Sequence, residues 1–275
     1  MKALRGKTIG LIGAGTMGQG LIRGLIARGV RPGSLYAADP RAAIRRQVAR
    51  LGVRTTAQNR ALVRAVDIIV LAVKPQEMSG VLHGLASQIR PRGLVISIAA
   101  GVTRRALQAR LPGVPLVRVM PNLPATVGSG FSAFTLGRHA TARHRSITRA
   151  IFGAVGEAVE LPERWLDAIT AVSGSGPAYL FFLAQAWEEA GVSLGLSRAI
   201  AQQAVRRTLA GSLALLEQGM LSPQAWIARV ASKRGTTEAA LRVLARHRVR
   251  QHVVAAVRAA AKRSQELSSC SSPMS

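Results

Sequence analysis

The sequence predicts an α/β fold, a doubly wound and mostly parallel sheet at the N-terminus followed by a smaller all-α domain. Three observations predict it. Short, continuous, β-branched runs alternate with amphipathic stretches from residue 8 to about 161, as strand and crossover-helix units require. The first run, Thr8 to Ile12, ends in Gly13-Ala14-Gly15-Thr16-Met17-Gly18, a glycine-rich turn between a strand and a helix. From about Glu163 only helical spacing remains, so the expected domains are 1–161 and 162–267.

The glycines of the first turn have separate tasks. Gly13 permits the tight turn, Gly15 lets backbone approach a pyrophosphate, and Gly18 lets the next helix pack on the strand. That helix, Met17 to about Arg28, has an apolar face of Leu21, Ile22, Leu25 and Ile26, and its unpaired N–H groups point at the turn as an anion site. A second strand, Leu35 to Ala38, ends at Asp39, about 20 positions past the last glycine, where an acid holds ribose hydroxyls in dinucleotide-binding folds. Ile12, Gly13, Ala14, Gly15, Thr16, Met17, Gly18 and Asp39 are therefore candidates for a dinucleotide site. The same glycines would also serve a structural βαβ turn that holds no ligand.

A helix to Arg50, a short strand from Val53 to Thr55 and a helical piece after Asn59 come next. Asp67 to Val73 is apolar on both faces, as a central parallel strand is, and stops at Lys74-Pro75 because proline ends the ladder. Ligands of open α/β sheets lie at the carboxyl edge, so Ala72, Val73, Lys74 and Pro75 should face the cofactor. A helix from Gln76 to about Gln88 leads to the strand Gly93 to Ile98, which ends in Ala99-Ala100-Gly101. A further helix, Thr103 to Arg110, leads to the strand Leu116 to Val119, which closes on Met120-Pro121-Asn122. Small residues after a strand let a flat ring approach, so Ala99, Ala100, Gly101 and Asn122 are candidate neighbours of a nicotinamide; turn formation alone would explain the same residues. Phe131 to Thr135 and Glu157 to Leu161 complete the sheet, with a helix Thr141 to Phe152 between them.

In the helical domain Gly174-Ser175-Gly176-Pro177 opens a helix whose apolar face is Tyr179, Phe182, Leu183, Ala186 and Trp187. Ser197 caps the next helix, whose stripe of small residues, Ala201, Ala204, Thr208 and Gly211, should pack closely, and Gly219 ends it. Ser222-Pro223 starts a third, and a loop from Ser232 to Thr237 leads into a fourth that is rich in alanine and arginine. Residues 268–275 read as a disordered tail. So much apolar surface predicts at least a homodimer.

Composition narrows the class. The 275 residues carry a net charge of +26, yet only five of the 38 basic residues are lysines, and the arginines are spread along nearly every segment. With aromatics at 4% there is little to stack on bases, so the charge reads as solvated arginine rather than a nucleic-acid surface. Its field still favours encounter with anionic ligands. Cys270 is the single cysteine, which rules out an intrachain disulfide and fits a reducing compartment. With no run of 18 apolar residues and no metal-ligand pattern, a soluble cytoplasmic protein without membrane or metal is expected.

Several of these stretches, taken together, resemble the pyrroline-5-carboxylate reductases, over nearly the whole chain from Ile9 to Leu267. They are the run Ile12 to Gly18, Ala72-Val73-Lys74-Pro75, Ser97 to Val102, Met120-Pro121-Asn122, Ala171 to Tyr179, and Gly235-Thr236-Thr237. The resemblance implies reduction of the cyclic imine L-1-pyrroline-5-carboxylate to L-proline by NAD(P)H, with a Rossmann-type first domain and a helical domain that dimerises, dimers sometimes joining into a decamer. It implies that backbone N–H groups of Gly235, Thr236 and Thr237 hold the substrate carboxylate, that the Thr237 hydroxyl bonds the ring nitrogen, that Ser175 and Gly176 line the substrate, and that Asn59 touches the cofactor ribose. Thr236 or Thr237 would equally serve as a helix cap, and Asn59 as a solvated loop residue.

The chain departs from the family pattern at four places. Lys233-Arg234 stands where Pro-Gly is usual, Leu123 replaces threonine, Arg248 replaces glycine, and Asp39 replaces a small hydroxyl residue. An arginine at a left-handed glycine position costs about 1–2 kcal/mol, unless the loop takes another shape. Asp39 should accept bonds from a ribose 2′-OH and repel a 2′-phosphate, with Arg41 offsetting part of that repulsion, so NADH is expected to be favoured or equal. Two alternatives remain. A β-hydroxyacid dehydrogenase would need a lysine in the helical domain, where only Lys233 and Lys262 occur, one in a loop and one near the C-terminus. A non-catalytic or altered-substrate nucleotide-binding relative of the reductases is the other.

Overall fold

The computed structural model describes residues 1–83, 85–89 and 93–270. Its contacts divide the chain into two units, Met1–Ser175 together with the C-terminal segment from Ala260, and Gly176–Ala259.

The first unit is built on an eight-stranded sheet among the described residues, in the order β3-β2-β1-β4-β5-β6-β7-β8. The strands are β1 (Ile9–Ile12), β2 (Leu35–Ala38), β3 (Arg54–Thr56), β4 (Ile68–Leu71), β5 (Leu94–Ser97), β6 (Leu116–Met120), β7 (Gly130–Leu136) and β8 (Gly156–Glu160). The strands from β3 through β6 pair in parallel, β7 runs antiparallel to β6, and β8 is parallel to β7. The crossovers run through α1 (Thr16–Ala27), α2 (Ala42–Ala49), α3 (Asn59–Ala65), α4 (Met78–His83) and α5 (Arg104–Arg110), with α6 (Ala142–Phe152) between β7 and β8. The central strand shows why its sequence is apolar throughout. Ile68 and Val70 pack in one core cluster with Leu21, Leu25 and Phe134, while Ile69 and Leu71 pack in the other with Leu62, Val95 and Leu107. Alternate side chains therefore enter two cores, and neither face tolerates a polar residue.

Chain order reverses at β1, which lies between β2 and β4. The carboxyl ends of β1, β4, β5 and β6 thus share one edge, with the crevice of the switch point opening at β1 and β4. Downstream, Glu163 fastens this edge of the unit from another side. Its carboxylate pairs with Arg104 at 3.0 Å and with the buried Arg118 at 3.1 Å. Short α7 (Leu166–Ile169) and a π turn, Thr170–Gly174, follow.

The second unit comprises α8 (Gly176–Ser193), α9 (Arg198–Glu217), α10 (Pro223–Val230), α11 (Thr236–Arg246) and the start of α12 (Val249–Cys270). Ser197 and Ser222 accept from the amides of Ile200 and Ala225, so the expected cap at Ser197 is made and Ser222 caps α10 in the same way. Among the described residues of 176–259, only Ala201 and Val205 are buried.

Four expectations change. The helix from Gln76 to Gln88 breaks into a 3₁₀ turn at Pro75–Glu77, α4, and a second 3₁₀ turn at Ala86–Gln88. The fourth helix of the helical domain is two, α11 and α12, because Arg248 sits at φ 51° and turns the chain. The small-residue stripe packs only at Ala201, where Gly191 of α8 comes close, while Ala204, Thr208 and Gly211 stay exposed. Finally, α12 continues to Cys270, three residues into the expected tail, because Ser264 and Ser268 donate to Asp167 Oδ1; residues 271–275 lie outside the described residues. By length and a mean hydropathy of 1.2, the run Glu163–Ser193 also meets the composition of a membrane-crossing helix.

Candidate active site

The turn after β1 behaves as its glycines predict. Gly13 has φ 90°, and a Cβ there would lie 2.7 Å from the Ala72 carbonyl at the end of β4. A Cβ at Gly18 would stand 2.5 Å from the Gly13 carbonyl, so the helix can lie this close only without a side chain. Gly15 is different. A Cβ built there meets nothing nearer than Arg41 Nη2, at 3.9 Å, so the backbone faces an open crevice. Two glycines make the turn, and the third leaves room for a ligand.

That crevice is a groove of about 420 Å³. Of the candidates, Ile12, Gly13, Gly15, Asp39, Asn59, Ala72, Val73 and Lys74 line it. Ala14, Thr16, Met17 and Gly18 form the turn and first helical turn beneath it, and Pro75 begins the 3₁₀ turn just after Lys74. Ala99, Ala100, Gly101 and Asn122 lie outside the groove lining, after β5 and β6 on the same sheet edge. The donor set suits a pyrophosphate and a ribose: helix N-terminal amides, a lysine, an amide side chain and a carboxylate.

Asp39 is the point where the site differs from a simple reading. It is 2% exposed and accepts four hydrogen bonds, from the Ala14 amide at 3.0 Å, the Arg41 amide at 3.0 Å, Arg41 Nε at 2.9 Å and Arg41 Nη2 at 2.9 Å. The Arg41 side chain holds the Asp39 carboxyl below its ordinary range, against the opposing effect of burial. The Arg41 guanidinium that takes up this carboxylate is itself 62% exposed. Sequence reasoning placed Arg41 nearby, but the two-residue spacing only allows such a fork and does not require it.

Asn122 is also committed within the chain. Its Oδ1 accepts from the Phe131 amide at 2.9 Å, and its Nδ2 donates to Ser173 Oγ at 3.0 Å. It ties the end of β6 to the start of β7 and to the π turn. A Cβ at Gly174 would meet the end of the flexible Met120 side chain at 2.6 Å, which would have to shift. Ser175 donates its amide to the Thr170 carbonyl at 2.8 Å, and Gly176 opens α8.

In the second unit, Gly235 is the N-cap of α11, and Thr236 and Thr237 occupy its first turn. Gly235 donates to the Ser232 carbonyl at 3.0 Å, and a Cβ on it would collide with Ser232 Oγ. Among the described residues the amides of Thr236 and Thr237 have no partner, as is usual for first-turn amides. Arg234 has φ 59°. The arginine in the glycine position adopts the left-handed backbone, at about 1–2 kcal/mol for a side-chain-bearing residue, instead of a new loop shape. Glu238, which sequence reasoning missed, accepts from the Arg234 amide and pairs with Arg242 at 2.7 Å. A glutamate three residues after a helix cap was the available signal.

Comparison with known proteins covers both units. A family model described as pyrroline-5-carboxylate reductase dimerisation matches residues 163–267. Another, described as NADP oxidoreductase coenzyme F420-dependent, matches residues 8–101. The chain is 39% identical to a pyrroline-5-carboxylate reductase of Synechocystis, over 94% of this chain and 97% of that one. The solved pyrroline-5-carboxylate reductase of Coxiella burnetii is similar with a TM-score of 0.87 and 32% identity, covering 95% of this chain and 98% of that one. That of Plasmodium falciparum, solved with NADP bound, has a TM-score of 0.87 and 28% identity, covering 96% of this chain and 98% of that one.

Proposed function

The chain belongs to the pyrroline-5-carboxylate reductase family, and from that premise we infer that it reduces L-1-pyrroline-5-carboxylate to L-proline with NAD(P)H. What carries the reading is the 39% identity to a relative of that name over 94% of the chain.

A bound nicotinamide supplies the hydride that adds to the imine carbon. The protein's part is orientation and charge. The Gly15 turn and the start of α1 would hold the pyrophosphate, with Lys74 adding a cation and Asn59 within the same groove for the ribose. Ala99, Ala100 and Gly101, after β5 on the same sheet edge, are the residues that would flank the nicotinamide ring. The amides of Thr236 and Thr237 hold the substrate carboxylate, that of Gly235 being taken by the Ser232 carbonyl, and the Thr237 hydroxyl bonds the ring nitrogen. A protonated imine is already electrophilic, so no ionised acid is needed; fixing the two rings supplies most of the advantage.

Both cofactors are accepted in this reading, with NADH favoured or equal. Asp39 supports it through its negative charge at the ribose end, and its pairing with Arg41 keeps the difference small. Steady-state kinetics with NADPH favoured tenfold or more, about 1.4 kcal/mol, would overturn that preference. A homodimer in the cytoplasm belongs to the same proposal. The helical unit's exposed apolar side chains and the dimerisation family model support a second copy, rather than lipid, as their cover.

The test is turnover of pyrroline-5-carboxylate with NADH by the unmodified chain and by Thr237→Ala. The variant is expected to lose turnover while its NADH affinity stays the same, because the hydroxyl touches the imine and not the dinucleotide. NADH binding without turnover in the unmodified chain would favour the altered-substrate relative. A kinetically silent Thr237→Ala would leave Thr237 a helix cap only.

A further inference from the structure

The loop before α11 carries a feature that the family pattern does not need. Arg234 holds the left-handed backbone at φ 59°, where a side chain is disfavoured, immediately before the cap residue Gly235. Its amide is taken by the Glu238 carboxylate, and the other oxygen of that carboxylate is taken by Arg242 Nη2 at 2.7 Å. In an ordinary capping box, the acid at the third helical position reaches back to the cap residue's own amide. Here the Gly235 amide is already bonded to the Ser232 carbonyl, and the acid reaches one residue further, to Arg234. The loop is thus closed by two bonds across its neck, one from backbone and one from Glu238.

We propose that Glu238 is a positioning residue for the substrate loop: it holds Arg234 in the left-handed conformation, so that the amides of Thr236 and Thr237 stay aimed outward at an anion. The inference rests on the reading of this loop as the carboxylate site. The arginine at 234 makes the brace necessary. A glycine there would take φ 59° without strain and would need no carboxylate to hold it. Arg242 keeps the brace in place, since its hydrogen bond is the first cause holding the Glu238 carboxyl below its ordinary range. A negative charge at the start of α11 also matches the helix dipole.

The experiment is a two-by-two series on the full chain: the unmodified protein, Glu238→Ala, Arg234→Gly and the double variant. In Glu238→Ala, KM for pyrroline-5-carboxylate is expected to rise about tenfold, with kcat and NADH affinity within about twofold, because a mispositioned anion site weakens substrate binding alone. Arg234→Gly alone is expected to bind substrate as well as the unmodified protein or better. The double variant is expected to return close to the unmodified KM, which a general loss of helix stability would not do. Hydrogen exchange over residues 232–238 supplies a readout independent of turnover: faster in Glu238→Ala, and unchanged at Thr236 and Thr237 in the double variant. An unchanged KM and exchange in Glu238→Ala would overturn the brace, as would a double variant no better than Glu238→Ala. If the unmodified chain turns over no pyrroline-5-carboxylate, the functional reading fails, and the exchange arm alone then decides the brace.

Discussion

Phe134 and Phe182 are the same side chain in opposite circumstances. Phe134, on β7, is 0% exposed inside the core of the first unit, while Phe182, on α8, is 71% exposed. The contrast extends to the units that hold them. The first satisfies its strands on both faces and closes around two clusters, so the apolar residues of its central strands are buried within the chain. In the second, Phe181, Trp187, Leu194 and Met220 stand exposed, and helices with so little buried surface do not offset the entropy of ordering them. One unit is complete by itself; the other has the composition of half a core.

Substitution at the two phenylalanines gives the largest effects and the sharpest break. Phe134→Ala is expected to lower unfolding stability by about 3–5 kcal/mol in denaturant titration, from lost burial and an unfilled cavity. Phe182→Asp is expected to shift the light-scattering mass from dimer toward monomer, because a charge cannot be covered by an apolar partner. A Phe182→Asp protein as dimeric and as stable as the unmodified one would remove the comparison altogether.

The glycines of the first turn allow a finer test within the complete unit. Gly13→Ala forces a side chain at φ 90° against the Ala72 carbonyl, so stability and NADH binding should fall together. Gly15 has φ −68° and open space beside it. Gly15→Ala is therefore expected to leave stability within about 0.5 kcal/mol while lowering NADH affinity about tenfold or more, read by calorimetry. Equal effects on stability would mean that Gly15 is a turn residue and nothing else.

The smallest expected effect is the pH response of Asp39. Its folded-state pKa lies below the ordinary 3.8, so its contribution to stability is fully present above about pH 4 and is lost as the pH falls through the depressed value. Asp39→Asn should flatten the acid limb of the stability profile and leave it unchanged near neutrality in slope. A variant with the same acid slope would show that the Arg41 pair contributes nothing in the native state.

Legibility from sequence followed locality. The turn Gly13 to Gly18, the cap Ser197 and the helix start at Ser222-Pro223 were readable because each rests on a residue's own backbone preference within a few positions, whereas β4 ends at Leu71, ahead of the stop expected at Lys74-Pro75. The helix after Pro75 was misread because apolar spacing continues through a stretch that the backbone breaks into turns. The small-residue stripe of α9 was misread for another reason: a pattern tells which residues could pack closely, not whether anything in the same chain arrives to meet them.

The sequence by itself determined the α/β order, the dinucleotide turn and the switch to helices, since hydrophobic period and glycine placement act locally and survive in any context. Tertiary structure alone decided which donors Asp39 accepts, that Asn122 bridges Phe131 and Ser173, and that Glu238 reaches past its own helix cap to Arg234. These are choices among partners that the chain makes equally available. Folding settles them by bringing particular polar groups together and leaving each the nearest donor or acceptor that water no longer supplies.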